Sequence, residues 1–362
     1  MRKDSGQRGF LPAVLIWVFR YHPICKIIIF KNKGVKMGLV KFLGIGHYCP
    51  ENIVTNYQLS SIVDTSHEWI IKRTGISERR ISTGEGTVDL AVNAAKNALK
   101  MAGCIPESID IIIVATTSPD RIMPSTACSV QSVLGCINAS AFDISAACSG
   151  FLYSSIIANS LLKCGEGKKA LVIGSEVLSR IIDWTDRNTC ILFGDGAGAA
   201  VLEITTNDES GIISTYFGSD GNKGLKALNA NQFSISTPFS NSNLERKQFI
   251  EMDGREVFRF AISIIPKVIK ELLKKSGESI ENIKYIIPHQ ANSRIIDDAA
   301  KKLNLNRDKF LINLEHYGNT SAASIPIVLS ESIEKGLIKK GDKIILVAFG
   351  GGLTWSGLLI QW

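Results

Sequence analysis

The sequence lacks the cysteine spacings that bind structural metals or frame small secreted domains. Its eight cysteines include no C-x-x-C pair, and none lies with histidine at the spacing of zinc ligands. Histidine itself occurs only five times. We therefore expect no metal and no disulfide framework, and we expect reduced thiols, which are typical of a cytoplasmic protein.

Long hydrophobic runs are missing near the start of the chain. Two apolar runs lie within residues 1–36, and neither reaches the roughly 18–20 residues that a membrane-spanning helix needs. Met37 then opens a strand-like run. We expect residues 1–36 to be an extension that is not part of the fold and whose deletion leaves activity unchanged. A targeting or membrane-surface role is the alternative.

A charge excess over the body of the chain is absent as well. The formal net charge is +7, but residues 1–36 hold eight of the 41 basic and one of the 34 acidic residues. The remainder holds 33 of each and is neutral. Bulk charge therefore gives no indication of nucleic-acid binding, and any basic site must be a local patch.

From residue 37, apolar β-branched runs alternate with helical patterns, which predicts an α/β fold. The patterns predict helices at 87–101, 258–275, 292–303 and 321–335, and strands at 109–117, 170–174, 199–204, 283–287, 343–349 and 355–361. A polar insert, residues 219–245, is interpreted as a loop or an excursion from the fold and not as a core element. The runs Asp110–Val114 and Lys284–Pro288 take equivalent places in two successive halves, 37–210 and 211–362, which indicates a duplicated unit.

Cys148 has the most distinctive setting in the chain. It lies in Asp143-Ile-Ser-Ala-Ala-Cys-Ser-Gly150, and apolar residues at helical spacing follow, so we predict a sharp turn at a helix N-terminus. The helix dipole would lower the thiol pKa by less than about one unit. Most of the thiol would stay protonated at neutral pH, so a second group must assist. The alternative is a small buried hydrophobic residue.

Three further stretches place polar or flexible groups at element ends. His289 leaves an apolar strand in Ile287-Pro-His-Gln-Ala-Asn292, and Asn319 precedes a helix in Gly318-Asn-Thr-Ser-Ala-Ala323. The turn Phe349-Gly-Gly-Gly352 could aim free N–H groups at a developing oxyanion. Alone, each has a structural alternative: a capping histidine, an N-cap or a tight turn. Together with Cys148 they indicate thioester chemistry.

One glycine-rich stretch has a different interpretation. Phe193-Gly-Asp-Gly-Ala-Gly198 is similar to a phosphate loop but lacks the lysine and the spacing of one. We predict a turn that leads into the strand at 199–204.

These motifs, in this order, resemble those of the β-ketoacyl-acyl carrier protein synthase III family, and the resemblance runs from Met37 to Trp362. It implies a thiolase-like fold, with two similar α/β halves in five layers, and a homodimer. It implies decarboxylative Claisen condensation of a short acyl-CoA, acetyl-CoA in the first place, with malonyl-acyl carrier protein, without a cofactor. A starter condensing enzyme of polyketide or quinolone metabolism is the alternative.

The resemblance also implies residue roles. Cys148 would take the acyl group, His289 and Asn319 would promote decarboxylation, and the N–H groups of Cys148 and Gly351 would form the oxyanion hole. Met123 stands where the partner subunit usually lends a residue to the acyl pocket. The implied CoA-binding residues are Thr65, Trp69, Arg73, Arg187, Phe258 and Asn292. The implied acyl carrier protein-binding residues are Arg259, Arg294, Lys301 and Lys302.

Three rival classes are less well supported by the sequence. Papain-like proteases also order Cys, His and Asn in this way, but Cys148 is in mid-chain and the motif around the papain-family cysteine is absent. A thiolase needs a second cysteine near the final glycine-rich turn, where Phe349 stands. A non-catalytic scaffold that binds carrier protein is disfavoured because all three polar residues are present.

Overall fold

The structure is a computed structural model that describes residues 38–206, 210–230 and 249–362. Leu39–Trp362 form one compact unit. The expectation for residues 1–36 falls outside the described residues. No helix of the described ranges is both long and apolar enough to cross a bilayer.

The predicted elements are all present, with ends that differ by a few residues. The strands are β1 (Leu39–Tyr48), β2 (Ile53–Thr55), β3 (Glu78–Arg80), β4 (Ile111–Ala115), β5 (Ser140–Ile144), β6 (Lys169–Glu176), β7 (Gly196–Thr205), β8 (Gly211–Ser219), β9 (Leu228–Ala230), β10 (Ile250–Met252), β11 (Tyr285–Pro288), β12 (Lys343–Gly350) and β13 (Thr354–Gln361). The helices are α1 (Asn56–Leu59), α2 (His67–Thr74), α3 (Thr87–Ala102), α4 (Thr126–Leu134), α5 (Gly150–Cys164), α6 (Gly221–Ala227), α7 (Gly254–Ser276), α8 (Ser293–Leu303), α9 (Leu314–Tyr317) and α10 (Ser324–Glu334).

Two mixed sheets repeat one topology. The first has the order β1-β7-β6-β4-β5, with parallel pairing only among β6, β4 and β5. The second has the order β8-β13-β12-β11, with parallel pairing only between β12 and β11. A parallel bridge from Ile286 to Phe310 stands where β5 stands in the first sheet. The matching order and direction agree with a duplicated unit.

The hydrophobic core shows five layers. Helices α5 and α10 pack between the two sheets, in one cluster with residues of β4, β6, β12 and β13. Helix α3 covers the outer face of the first sheet, and α7 and α8 cover the outer face of the second. Because both faces of β4 are covered, all five of its residues are buried, as its unbroken apolar run requires. The predicted fold class is therefore confirmed.

The structure adds detail to two of the interpretations from sequence. Part of the insert at 219–245 has secondary structure outside the two main sheets: α6 begins where the Asp220 side chain accepts from Lys223 N–H, and β9 pairs with β10. Residues 231–248 are outside the described residues. The glycine-rich stretch is not a turn throughout, because β7 begins at Gly196. A Cβ at Gly198 would lie 2.6 Å from Pro326, so glycine there allows α10 to pack on β7.

Candidate active site

Cys148 lies on the predicted turn. Residues Ala147–Ser149 form one turn of 3-10 helix between β5 and α5, and Ala147 has a φ of 45°. A Cβ at Gly150 would lie 2.7 Å from Ala115 Cβ, so glycine allows α5 to start directly against β4. Cys148 is only 7% exposed at the end of this turn.

The expected lowering of the Cys148 pKa is wrong. Burial raises the pKa of the thiol to about 12. The cause is desolvation, which penalises the thiolate more than the turn and the helix N-terminus favour it. A hydrogen bond from Ser321 works in the opposite direction and is the smaller effect.

His289 follows β11 and is buried. Its Nδ1 lies 2.8 Å from Ser324 Oγ, and its ring meets the Phe349 ring edge-on at 5.1 Å. Burial lowers the pKa of His289 to about 3, so the imidazole is neutral at physiological pH. It is not a capping histidine, because Asn292 caps the helix that follows.

The proton of Ser324 decides which nitrogen of His289 carries a hydrogen. Ser324 Oγ lies 2.9 Å from the Ser321 carbonyl oxygen as well as 2.8 Å from His289 Nδ1. With the hydroxyl donating to the carbonyl, Nδ1–H donates to Ser324 and Nε2 holds a lone pair. With the hydroxyl donating to Nδ1, Nε2 carries the hydrogen and becomes a donor.

Asn319 is held by both halves of the chain. Its Oδ1 accepts from Ser321 N–H at 2.8 Å, which leaves the amide NH₂ as the donating end of the side chain. Its backbone N–H donates to the Leu192 carbonyl at 2.8 Å, and its own carbonyl accepts from Gly194 N–H at 3.1 Å. These bonds form a small parallel bridge between Phe193 and Asn319.

Cys148, His289 and Asn319 line one cavity of about 110 Å³, together with Phe349 and Gly350. A wider cleft of about 1000 Å³ lies next to it. The two spaces have five lining residues in common, which makes them contiguous: Leu192, Met252, Gly254, Phe258 and Asn292. The arrangement is a cleft that narrows to a buried thiol.

The glycine-rich turn meets the cysteine turn directly. A Cβ at Gly350 would lie 2.8 Å from Cys148 N, so only glycine fits there. Thr354 Oγ1 lies 3.0 Å from the Gly351 carbonyl oxygen and 3.2 Å from that of Ala146, which ties the two turns together. Of the glycine run it is Gly350 that lines the cavity.

Of the residues predicted to bind CoA, Trp69 and Arg73 line the cleft, whereas Arg187 lies outside the lining and contacts the Trp69 ring. The guanidinium of Arg73 lies 5.1 Å from the Trp69 ring centroid, and that of Arg187 lies 5.2 Å from it. Arg187 also donates to the Asp64 backbone carbonyl at 3.0 Å. A base stacked between Trp69 and Arg187 would have to displace this arginine.

The remaining predicted CoA-binding residues differ in their settings. Phe258 lines both spaces, and Asn292 lines both while donating to the Arg73 carbonyl at 2.9 Å. Thr65 is outside the lining of either space, and its Oγ1 is buried without a hydrogen-bond partner among the described residues.

The predicted carrier-binding cations divide into two pairs. Arg259 and Arg294 line the cleft, whereas Lys301 pairs with Asp298 at 3.8 Å and Lys302 donates to the Ile262 carbonyl at 3.2 Å on the last turn of α8. Sequence reasoning missed two further cations of the cleft, Lys226 and Arg255. Lys226 lies in the polar insert and Arg255 precedes the predicted start of its helix.

Met123 does not line the cavity or the cleft of its own chain. Its side chain is 83% exposed on the loop before α4.

Sequence reasoning also missed three residues near the thiol: Glu176, Ser321 and Ser324. The run of small residues around Asn319 is the only signal in the sequence for Ser321 and Ser324, and Glu176 has no such signal. The described residues contain no group of three metal-ligating side chains.

Comparison with known families and with curated proteins identifies the same family throughout. The model of the family "3-Oxoacyl-[acyl-carrier-protein (ACP)] synthase III" matches residues 142–221, and the model of its C-terminal part matches residues 273–362. The Beta-ketoacyl-[acyl-carrier-protein] synthase III of Clostridium botulinum (strain Kyoto / Type A2) is 55% identical over 330 residues, which is 90% of this chain and 99% of that protein. The Clostridium beijerinckii protein of the same name is 54% identical over 326 residues, 90% of this chain and all of its own.

Solved structures of proteins with related names superimpose on this chain over most of its length. The 3-oxoacyl-[acyl-carrier-protein] synthase III of Aquifex aeolicus VF5 superimposes with a TM-score of 0.83 at 47% identity, over 89% of this chain and all of that one. The priming beta-ketosynthase of the R1128 polyketide pathway superimposes with a TM-score of 0.81 at 33% identity, over 90% and 97%.

Proposed function

Because the chain belongs to the β-ketoacyl-acyl carrier protein synthase III family, we propose that it condenses a short acyl-CoA with malonyl-acyl carrier protein to start fatty-acid synthesis. The observation that carries the proposal is the set of Cys148, His289 and Asn319 on one cavity at the end of a cationic cleft. Acetyl-CoA is the donor we assign first. Identity to the polyketide priming enzyme is lower than to the clostridial proteins, so the secondary-metabolite alternative is not favoured.

The first half-reaction is acyl transfer. Cys148 sulfur attacks the thioester carbonyl of the acyl-CoA, an acyl-enzyme forms and the CoA thiol departs. The Cys148 and Gly351 N–H groups are our candidates for donors to the oxyanion. Gly350 supports this assignment, because its lack of a Cβ allows the glycine turn to approach Cys148 N.

The second half-reaction is decarboxylation and condensation. Loss of CO₂ from the malonyl group puts negative charge on its thioester oxygen, and two donors stabilise that oxygen. Asn319 supplies its NH₂ group. His289 supplies Nε2–H when Ser324 donates to Nδ1. A neutral imidazole suits this role, and burial keeps His289 neutral. The resulting carbanion then attacks the acyl-Cys148 carbonyl.

The cleft fits the two carriers. Cationic side chains favour the phosphates of CoA and an acidic carrier protein. Arg73 and Trp69 would contact CoA, with Phe258 and Asn292 along the pantetheine arm. For the carrier protein, Arg259 and Arg294 are favoured over Lys301 and Lys302, since only the arginines line the cleft.

We also propose a homodimer that forms through the edge strand β5. Exposed apolar side chains are concentrated in residues 122–142, which contain α4 and the first part of β5: Ile122, Met123, Val133, Ile137 and Phe142. A partner on this edge would cover them and would allow Met123 to reach the partner's acyl pocket. Sedimentation of Phe142→Asp tests this, and an unchanged dimer mass would contradict it.

The free thiols at all seven cysteines of the described ranges support a cytoplasmic location.

Labelling with 14C-acetyl-CoA tests the function. The unaltered protein should become covalently labelled, and addition of malonyl-carrier protein should move the label from the protein to β-ketoacyl-carrier protein. Protein that turns over neither acetyl-CoA nor other short acyl-CoA thioesters would contradict the proposal.

A further inference from the structure

Arg79, the middle residue of β3, is a fully buried arginine that the proposed reaction does not use. Its guanidinium donates to three neutral oxygens: the Ile191 carbonyl at 2.8 Å, Asn56 Oδ1 at 2.9 Å and the Val54 carbonyl at 3.2 Å. Burial lowers the pKa of Arg79 to about 10, so the side chain remains a cation at neutral pH. Burial of a cation costs free energy. An apolar side chain would fill the space without that cost, so the hydrogen bonds of the guanidinium indicate its role.

The bond to Ile191 leads to Asn319. The next residue, Leu192, accepts from Asn319 N–H at 2.8 Å through its carbonyl, and Gly194 N–H donates to the Asn319 carbonyl at 3.1 Å. Arg79 therefore holds the carbonyl group that directly precedes the one bound to Asn319. The segment 191–194 is hydrogen-bonded both to Arg79 and to Asn319.

The stem of Arg79 packs at the same place. A Cβ added at Gly194 would lie 3.1 Å from Arg79 Cβ, and one added at Gly318 would lie 3.4 Å from it. These two glycines flank the parallel bridge between Phe193 and Asn319, one on each of its two segments. The Arg79 stem therefore lies beside both segments of the bridge.

The strand that carries Arg79 lies outside the two main sheets and pairs with β2. Just before it, Ser77 N–H and Ser77 Oγ each donate to the Glu315 carbonyl at 2.9 Å. At its end, the Arg80 carbonyl accepts from Asp195 N–H at 2.8 Å. This short stretch thus binds both chain segments that form the bridge, and Arg79 is its fully buried member.

Building on the function proposed above, we propose that Arg79 is a positioning residue for condensation, which places Asn319 by holding the segment 191–194. Asn319 is one of the two proposed donors to the malonyl thioester oxygen, and the effect of such a donor depends on its placement. Arg79 itself lines neither the cavity nor the cleft. Cys148 lies on a separate turn, between β5 and α5. Loss of the guanidinium should therefore impair condensation and spare acyl transfer to Cys148.

Two substitutions of Arg79 test the proposal in the full chain. Arg79→Met removes the guanidinium and keeps an unbranched stem. Arg79→Lys keeps the charge but loses the planar fork, so a single ammonium group replaces two separate donating nitrogens. The lysine variant keeps the test valid if Arg79→Met fails to fold. Arg307→Met is the matched control, because Arg307 also donates to a backbone carbonyl, that of Phe310 at 3.2 Å, away from the bridge.

Two rates are measured for each variant: labelling of Cys148 by acetyl-CoA, and formation of β-ketoacyl product from malonyl-carrier protein by pre-acetylated enzyme. We expect Arg79→Met to slow condensation at least about tenfold and Arg79→Lys at least about threefold, with labelling within about twofold of the unaltered chain. The control should change neither rate. Condensation at the unaltered rate in a folded Arg79 variant would overturn the proposal. So would equal slowing of both steps, because a general structural defect gives that result.

A double substitution shows whether Arg79 acts through Asn319. In the Asn319→Ala background, Arg79→Met or Arg79→Lys should slow condensation by no more than about a further twofold, because the group that Arg79 positions is gone. A further loss as large as that in the unaltered background would mean that Arg79 acts elsewhere, and it would overturn the proposal.

Crystal structures of the unaltered chain and of the Arg79 variants supply a measurement that needs no turnover. We expect the Asn319 side chain to shift by more than about 0.5 Å relative to Cys148 in the variants. An unmoved Asn319 would overturn the proposal. If Asn319 moves as expected but the unaltered chain forms no β-ketoacyl product, the positioning role stands and the proposed function fails.

Discussion

The two turns that carry the reactive groups, residues 147–149 and 321–323, have the same backbone and different side chains. Each is one turn of 3-10 helix, each starts at a non-glycine residue of positive φ, 45° at Ala147 and 49° at Ser321, and each leads directly into a helix of the central layer. In the first turn the next residue is the nucleophile. In the second it is Ala322, and the polar groups stand around it instead. The two halves thus share one backbone turn, which carries the nucleophile Cys148 in the first half and follows Asn319 in the second.

The largest effect should come from the first turn. Cys148→Ala should abolish covalent labelling by acetyl-CoA completely, because the second turn has alanine at the equivalent position and offers no substitute thiol. Liquid-chromatography mass spectrometry of the intact protein measures this. A labelled Cys148→Ala protein would place the nucleophile elsewhere and break the comparison.

The next effect separates the steps served by the two turns. Asn319→Ala should keep Cys148 acylation and lose condensation by about 10²–10³, because the malonyl oxygen loses one donor and Asn319 has no group that takes a thiol proton. Paired assays of labelling and of β-ketoacyl product measure it.

The matched control for Asn319 is Ser145→Ala, which changes the equivalent position of the first turn. Ser145 is exposed, so we expect neither assay to change appreciably. Equal loss of both steps in a folded Asn319→Ala protein would refute the separate roles.

His289 gives a smaller effect that depends on pH. Its folded pKa of about 3 lies below the ordinary value of 6.5, so the unfolded chain binds the extra proton between these limits. Stability conferred by the neutral His289 is complete above pH 6.5 and is lost as pH falls toward 3. Between pH 8 and pH 5 the free energy of unfolding should drop by roughly 2 kcal/mol from this group.

Denaturant titrations of the unaltered chain and His289→Gln at pH 5 and pH 8 measure the effect. The difference between the two pH values should be smaller by that amount in the variant. In addition, condensation by pre-acylated enzyme should show no inflection near pH 6.5. An inflection there that His289→Gln removes would mean that His289 titrates in the ordinary range.

The smallest effect concerns the backbone that both turns share. Ala147→Gly relieves a positive φ but gives the unfolded chain more freedom, so the free energy of unfolding should change by less than about 1 kcal/mol. Ala147→Val should lower it by more than about 1 kcal/mol, since a β-branched side chain is disfavoured at this φ. Thermal unfolding of Ala147→Gly and Ala147→Val measures the difference between them. Equal free energies of unfolding for the two variants would show that the turn changes its backbone conformation to accommodate valine.

The contrast between the turns also explains what could be predicted from sequence. The turn at Cys148, the strand exit at His289 and the glycine turn are local features, so small residues and apolar periodicity reveal them. Burial is not local. The helix N-terminus at Cys148 predicts a lower pKa, and the sheets and helices that cover it reverse the sign. From sequence, Glu176 looks like the end of an ordinary strand. Its proximity to Ser321 brings together residues of the two halves that are far apart in the chain, so no sequence spacing predicts it.

The small bridge between Phe193 and Asn319 has a consequence for measurement. Asn319 is hydrogen-bonded to residues of the other half, so its amide and that of Gly194 are protected only while the two halves stay joined. A transient parting of the halves would expose both amides to solvent and disperse the site in the same event. Hydrogen exchange at these two amides therefore reports how often the enzyme comes apart into inactive halves, without substrate and without any assay of turnover.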